Sequence, residues 1–493
     1  MTTPAPTPVN LDLNNIQGDI LSGFPKKTET FYFFQILDPT KFRKDLHDFV
    51  PIIKTVAQVL KDREEIDKHR KKKDPSGRKP PTIPLVGVNI AFSHLGFTKL
   101  GIDDTKLIDQ ANQGTSTGFL DGQRKDAQSL GDRGAVQGTD FVPDWDEEFK
   151  QDIHGVLNIA GDSHAIVDRK VQLIEQCFKV GTKDATIKKV TSIRGDTRPG
   201  DQDGHEHFGY LDGISNPAII GFDKNPPPGP APVRAGVILL GQDGDLRKDQ
   251  RDPWQVDGSF LAFRLLFQRV PEFDEFVFAN RLQLPGLSDK EGADLFGARL
   301  VGRWKSGAPL DLSPFFDDPD LARDESRRNN FHFSAERNFQ KLCPFAAHIR
   351  KTLPRADLEE NGISIEKNRI MRRGIQFGPE VTRRERQNKK TEHGRGLLFA
   401  CYQSNLSTGF QFIQKSWANN PNFPPFEQTP ETPGLDPIIG QNGQDDRGPV
   451  SGVNPNTPSI TVALKEEWVV SRGGEYFFSP SIKALKETIG LAA

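Results

Sequence analysis

The sequence predicts a duplicated α+β fold with antiparallel sheets, on the strength of two similar openings and the connector between them. "ETFYFFQILDPTKFRKDLHDFV" (29–50) reads as an aromatic strand, a turn at Asp38-Pro39 and a helix with Phe42, Leu46 and Phe49–Val50 on one face. "DGSFLAFRLLFQRVPEFDEFVFAN" (257–280) repeats that order: an apolar strand, Pro271, then a helix carrying Phe273, Phe276 and Val277. Each is followed by further strand, "TIPLVGVNIAFS" (82–93) in the first case and "GRGLLFACYQSN" (394–405) in the second. "NPPPGPAPVRAG" (225–236) is too proline-rich for a central strand and reads as a surface connection. The division is therefore expected at residues 1–235 and 236–493.

Bulk properties narrow the function classes. At 493 residues the chain exceeds one ordinary core. No apolar run approaches the ~20 residues of a membrane span. The 65 basic residues are balanced by 67 acidic ones, a net charge of −2, which gives no general field for nucleic acid. "KDREEIDKHRKKKDPSGRKPP" (61–81) reads as a charged helix running into a solvated basic loop. The start lacks a basic segment followed by an apolar one, which fits a cytoplasmic protein or a secreted one without its leader. Three cysteines at unrelated spacings suggest neither a disulfide framework nor zinc. Oxidisable side chains are scarce: 2 Met and 4 Tyr stand against 35 Phe. Methionine is easily oxidised, so this suits a chain that handles strong oxidants, and compositional drift would give the same numbers.

Three clusters could carry chemistry. In "KLCPFAAHIRKTLPR" (341–355), Pro344 fits a first helical turn and Pro354 a stop. His348 lies beside the apolar stripe of that helix, as a half-buried residue or as a haem or metal ligand, with Arg350 and Arg355 near enough to meet anionic groups. "DGHEHFGYLDG" (203–213) holds His205 and His207, which a strand would point the same way, and Asp212 between glycines. Asp212 suits either the cap of an Asx-type turn or acid–base chemistry. In "NRIMRRGIQFGPEV" (368–381), one of Arg372 and Arg373 faces inward and needs an anionic partner, unless both lie on the surface.

Taken together, "FGYLDG", "CPFAAHIRK" and "IMRRGIQFG" resemble the dye-decolorizing peroxidase family in its long fungal form. "NIQGDILSGFPK" (15–26), "GLLFACYQSNLSTGFQFIQKSWANN" (396–420) and "GLDPIIGQ" (434–441) extend the resemblance over nearly the whole chain. It implies two ferredoxin-like halves with peripheral helices and haem b between the sheet and helices of the C-terminal half. By motif position, His348 is similar to the iron ligand, Asp436 to the carboxylate behind it, Asp212 to the distal acid–base group and Arg372 to the distal arginine. His207, Arg350 and Arg355 are expected at the cofactor. Trp417 matches a surface tryptophan that relays electrons from bulky reductants. The tyrosine that follows the distal arginine by five residues in related members is here Phe377.

The implied activity is reduction of hydrogen peroxide coupled to oxidation of dyes and phenolic or lignin-related compounds. Because an unperturbed aspartate titrates near ~4, an acidic optimum is expected. Glu359 and Glu366 in "RADLEENGISIEKN" (355–368) could serve Mn²⁺ oxidation, or form an ordinary acidic loop. The protein is expected as a monomer or homodimer, free of nucleic acid and membrane. Two rivals remain: a non-haem oxygenase built on His205 and His207, and a haem carrier without turnover.

Overall fold

The computed structural model describes residues 11–71, 83–108, 118–425 and 431–490. Nine strands form its main sheet. They are β1 (Thr28–Ile36), β2 (Val86–Phe92), β3 (Gly155–Gly161), β4 (Ile187–Asp196), β5 (Ser259–Gln268), β6 (Met371–Arg372), β7 (Ile375–Phe377), β8 (Gly396–Gln403) and β9 (Val469–Ser479). All their pairings are antiparallel. The N-terminal strands lie in the order β4-β1-β3-β2 and the C-terminal strands in the order β9-β5-β8-β6, with β7 also on β8. Each half thus places its last strand beside its first and its third between first and second, the ferredoxin-like arrangement.

The antiparallel sheets of the two halves join in one row of strands. β2 meets β9 through the single register pair Phe92–Phe478. At the two ends of the row, Gly195 of β4 lies so close to β7 that an added Cβ would be 2.4 Å from Ile375 Cγ2. The ends therefore approach one another and the row curls towards a barrel.

The aromatic strands make this possible because alternate side chains serve opposite faces. On β1, Tyr32, Phe34 and Ile36 join one core, while Phe31 and Phe33 join another. Helix α1 (Pro39–Phe49) starts where Asp38 accepts a hydrogen bond from the Lys41 amide at 3.0 Å, and it buries Phe42, Leu46 and Phe49 on the first core. Each such burial contributes roughly 1.5–3 kcal/mol. In the second half, α2 (Val270–Ala279) follows β5 and α3 (Asp289–Val301) begins with a Ser288–Glu291 capping box. They enclose a third core with Trp468 and Leu310.

The proline-rich connector contains no strand, as expected. The charged helix covers Val56–Lys71, and residues 72–82 of its basic tail lie outside the described residues. No helix among the described residues is long and apolar enough to cross a membrane. All three cysteines are free. Asn405, which opens the glycosylation sequon Asn405-Leu406-Ser407, is buried and accepts a hydrogen bond from the Thr408 amide.

Candidate active site

One cavity gathers four of the sequence-predicted residues. It holds about 1780 Å³ of free space, counting its mouth, and is lined by Asp212, His348, Arg355 and Arg372 together with Ile349, Leu353, Phe399, Phe410, Ile413 and Ile438. Its walls come from β5 and β8 on one side and from the segments 348–353, 410–414 and 438–441 on the other. That is the space between the C-terminal sheet and its helices.

His348 forms the floor. The helix expected to begin at Pro344 begins instead at His348, as α4 (His348–Thr352), after an extended Ala347. Pro344 sits in a turn whose carbonyl accepts from the Ala347 amide, so the chain reverses before the helix starts. His348 Nδ1 lies 2.8 Å from Asp436 Oδ2. Asp436 is fully buried, and its other oxygen accepts from the amides of Ile438 and Ile439, at 2.8 and 3.1 Å. A carboxylate so placed accepts the Nδ1 proton, which leaves Nε2 with a lone pair. Nε2 makes no hydrogen bond among the described residues. Burial works against the imidazolium, but the charge and hydrogen bond of Asp436 outweigh it and raise the His348 pKa.

Asp212 and Arg372 form the roof. Gly209 and Gly213 adopt φ values of +92° and +75°, which an L side chain rarely tolerates, so the turn needs glycine on both sides of Asp212. Half-buried Glu206 braces the loop by accepting from the amides of Phe208 and Tyr210. Asp212 Oδ1 accepts from the Gly213 amide at 2.6 Å and from Arg372 Nη1 at 2.7 Å. Asp212 thus bonds the neighbouring amide and not the amide two residues on that an Asx-type turn would use, and it is a carboxylate facing the cavity. Burial opposes its ionisation, but the Arg372 charge and these hydrogen bonds prevail and hold its pKa below the ordinary carboxylate value.

Asn216 clips the two motifs together, since its Oδ1 accepts from the Arg372 amide at 3.0 Å and its Nδ2 donates to the Arg372 carbonyl at 3.3 Å. Sequence reading missed this residue although it stands inside "GISNP". Arg373 points away and donates to the Asp19 carbonyl at 2.8 Å, so the register between the two arginines is settled in favour of Arg372.

Several expectations need correction. Arg350 does not reach the cavity. It is fully buried on the far side of α4, paired with Asp357 at 2.6 Å and donating to the Cys343 and Glu336 carbonyls. His207 also lies outside the cavity lining, because residues 205–211 form a tight turn closed by a His205–Leu211 bridge and no strand. Its Nε2 donates to the Phe377 carbonyl at 2.8 Å, and burial pushes its pKa down to about 4, so it stays neutral. His205 lies near the Asp203 carbonyl, and among the described residues no group of three or more His, Cys, Asp or Glu could hold a metal.

Trp417, expected at the surface, is 3% exposed. It stacks on Phe423 at 5.3 Å and meets Phe412 edge-on, in a small core with Ile413 and Leu358. The acidic run does not assemble either: Glu366 is committed to Arg234 at 2.8 Å, Asp357 to Arg350, and Glu359 is exposed, its charge acting on Arg355 and Arg369.

Arg355 does line the cavity, with two arginines that sequence reading missed, Arg303 and Arg369. All three are buried, and none forms a salt bridge among the described residues, although the charge of Glu359 reaches Arg355 and Arg369 and that of Asp311 reaches Arg355. Arg355 donates to the Asn329 and Phe331 carbonyls and holds a φ of +50°, a costly conformation for a non-glycine residue. Burial lowers the pKa of Arg303 and Arg355 to about 9 and of Arg369 to about 10. Buried guanidinium groups with no anion in direct contact call for negative charge from a ligand. An apolar slot, a free imidazole nitrogen below and three unpaired arginines at the wall fit a flat apolar cofactor with carboxylate arms and a metal to ligate.

Comparison with known proteins agrees. Residues 15–199 match the family model described as the DyP dimeric alpha+beta barrel domain, and residues 208–424 match that of the Dyp-type peroxidase C-terminal domain. A dye-decolorizing peroxidase of Auricularia auricula-judae is 44% identical over 97% of this chain and 86% of its own length. Peroxidase 2 of Mycetinis scorodonius is 42% identical over 98% and 88%. Among solved structures, a phenylalanine-to-tryptophan variant of the dye-decolorizing peroxidase from Pleurotus ostreatus superposes with a TM-score of 0.92 at 53% identity, covering 98% of this chain and 100% of the other. A dye-decolorizing peroxidase in complex with 2,6-dimethoxyphenol gives 0.83 at 42% identity, over 98% and 100%. This chain belongs to the dye-decolorizing peroxidase family.

Proposed function

We propose that the protein is a haem b peroxidase that reduces hydrogen peroxide and oxidises bulky dyes and phenolic or lignin-related compounds, built from halves 1–235 and 236–493. The observation that carries this reading is the Asp212–Arg372 pair, 2.7 Å apart, in the same cavity as an imidazole whose Nε2 is free. When bound, haem supplies the iron at which peroxide is cleaved and from which reductants are oxidised. His348 would hold it through Nε2, and Asp436 would fix the tautomer and strengthen the ligand as a donor. Arg303, Arg355 and Arg369 would receive its carboxylates.

The rest falls to Asp212 and Arg372. Asp212 accepts a proton from one peroxide oxygen and returns it to the other, which leaves as water. Arg372 holds positive charge where negative charge develops as the O–O bond breaks, at no reorganisation cost because Asn216 and Asp212 already fix it. A haem carrier would need neither residue. Trp417, which shares a small core with Ile413 of the cavity wall, is the proposed route for the electrons of bulky reductants.

Stopped-flow spectroscopy tests this reading. The haem-loaded chain should show a Soret band that peroxide shifts within seconds, slowly in Asp212→Asn and Arg372→Leu. A preparation that stays colourless after haemin is supplied overturns it.

A further inference from the structure

Behind the cavity wall lies a second buried group that peroxide cleavage does not use. Tyr476, on β9, is fully buried, and its hydroxyl donates to Asp126 Oδ2 at 2.6 Å. Asp126 is itself fully buried. It also accepts from Gln411 Nε2 at 2.6 Å and, through its other oxygen, from the Ser129 hydroxyl and the Lys415 ammonium. Gln411 and Lys415 belong to the segment that carries Phe410 into the cavity wall. The ring of Phe410 lies 6.2 Å from that of Tyr476, centre to centre and nearly edge-on. One aromatic side chain therefore separates the phenol from the cavity.

A buried hydroxyl needs a partner, and a carbonyl would suffice. A carboxylate with its own lysine is a more demanding choice, and phenylalanine fills the next two positions, Phe477 and Phe478. In a chain with 4 Tyr against 35 Phe, each tyrosine is an exception. Tyr32 also meets a carboxylate, but at 3.3 Å from the half-buried Glu175 and in the N-terminal core. Chemically, a phenol yields an electron far more readily when its proton has somewhere to go in the same step, and a carboxylate at hydrogen-bond distance supplies that place. Burial and the Asp126 charge together keep the phenol protonated until then.

We propose that Tyr476 and Asp126 form an internal redox site that donates one electron and one proton when peroxide has oxidised the cavity centre and no reductant is bound. The inference rests on the peroxidase reading, whose oxidant it uses. The phenolic O–H bond breaks, its proton forms an O–H bond on Asp126, and one electron passes by way of Phe410 to the oxidised centre, which is reduced by one equivalent. Tyr476 is left as a neutral phenoxyl, and an external reductant reverses the step by returning one electron while Asp126 returns the proton. Enclosed on all sides, the phenoxyl is shielded from coupling with other radicals, so the site stores an equivalent.

The haem-loaded full chain, mixed with one equivalent of peroxide and frozen without reductant, is examined by electron paramagnetic resonance. A tyrosyl signal that narrows on ring deuteration of tyrosine is expected in the wild type and in Tyr32→Phe, with loss of the signal in Tyr476→Phe. Asp126→Asn keeps a hydrogen-bond acceptor but is a poor base, and the signal should form at least about tenfold more slowly. An unchanged signal in Tyr476→Phe, an unslowed one in Asp126→Asn, or no tyrosine-derived signal in a wild type whose Soret band responds to peroxide overturns the proposal and leaves the peroxidase reading intact. A wild type whose Soret band does not respond removes both.

Discussion

Arg350–Asp357 and Arg372–Asp212 are the same chemical pair at nearly the same distance, 2.6 and 2.7 Å, and they do opposite work. Arg350 is sealed, with side-chain exposures of 0% and 2% for the pair, and its remaining donors are spent on the Phe339, Cys343 and Glu336 carbonyls. It lies over the rings of Phe333 and Phe345, so its flat face is used as well. Arg372 and Asp212 keep about a third of their side chains open, at 31% and 30%. The sealed pair ties the segment after α4 to the loop before it and so fixes the floor under His348. The open pair has capacity left over, and that capacity is what the proposed function assigns to the substrate. Completeness of hydrogen bonding is what separates the two ion pairs here.

The largest effect should come from unbalancing the open pair. Asp212→Asn should slow peroxide cleavage by about 100- to 10,000-fold, the usual worth of a positioned acid–base group, with little change in the urea midpoint. A rate within a few-fold of wild type would remove Asp212 from the chemistry. Next comes the sealed pair: Arg350→Met should cost about 3–5 kcal/mol of folding stability, because it strands Asp357 in the interior. Urea unfolding measures this, and Arg372→Leu should cost less than about 1 kcal/mol in the same assay, since its partner reaches solvent. Equal losses would erase the distinction.

A smaller effect is expected on the floor, where Asp436→Asn should weaken haem retention by about 10- to 100-fold, read as transfer to apomyoglobin. Smallest is a pH shift. The folded-state pKa of Asp212 is depressed, so its contribution to stability is complete above the unfolded value of 3.8 and is lost as pH falls through the lower folded value. The acid limb of the peroxide reaction should therefore lie below pH 3.8 in the wild type and move upward in Arg372→Leu. An unmoved limb would dissociate the two residues.

Much of this was legible in the chain. Strand–turn–helix order is local, set by alternation on β1 and β5 and by Asp38 and Pro39 at a helix start, so both halves could be read in advance. Asp212, His348 and Arg372 were legible as candidates through the motifs that carry the family resemblance, and the structure brings all three to one cavity. Other residues were not. Arg350 and Arg355 look alike in sequence, five residues apart, yet only Arg355 lines the cavity. Trp417 has polar neighbours in "QKSWANN", but Phe412 and Phe423 fold over it. Arg303 and Arg369 carry no local mark at all.

By itself, the sequence determined which segments become strands and helices and which residue types could perform acid–base and ligand chemistry, because those properties depend on neighbours within a few positions. Only the tertiary structure decided which arginines are paired and which are left wanting an anion, that the two halves share one curled row of strands, and that Tyr476 lies against Asp126, 350 residues away. Charge pairing and burial are set by contacts between distant segments. Those contacts exist only once the sheet has closed and the helices have packed on it.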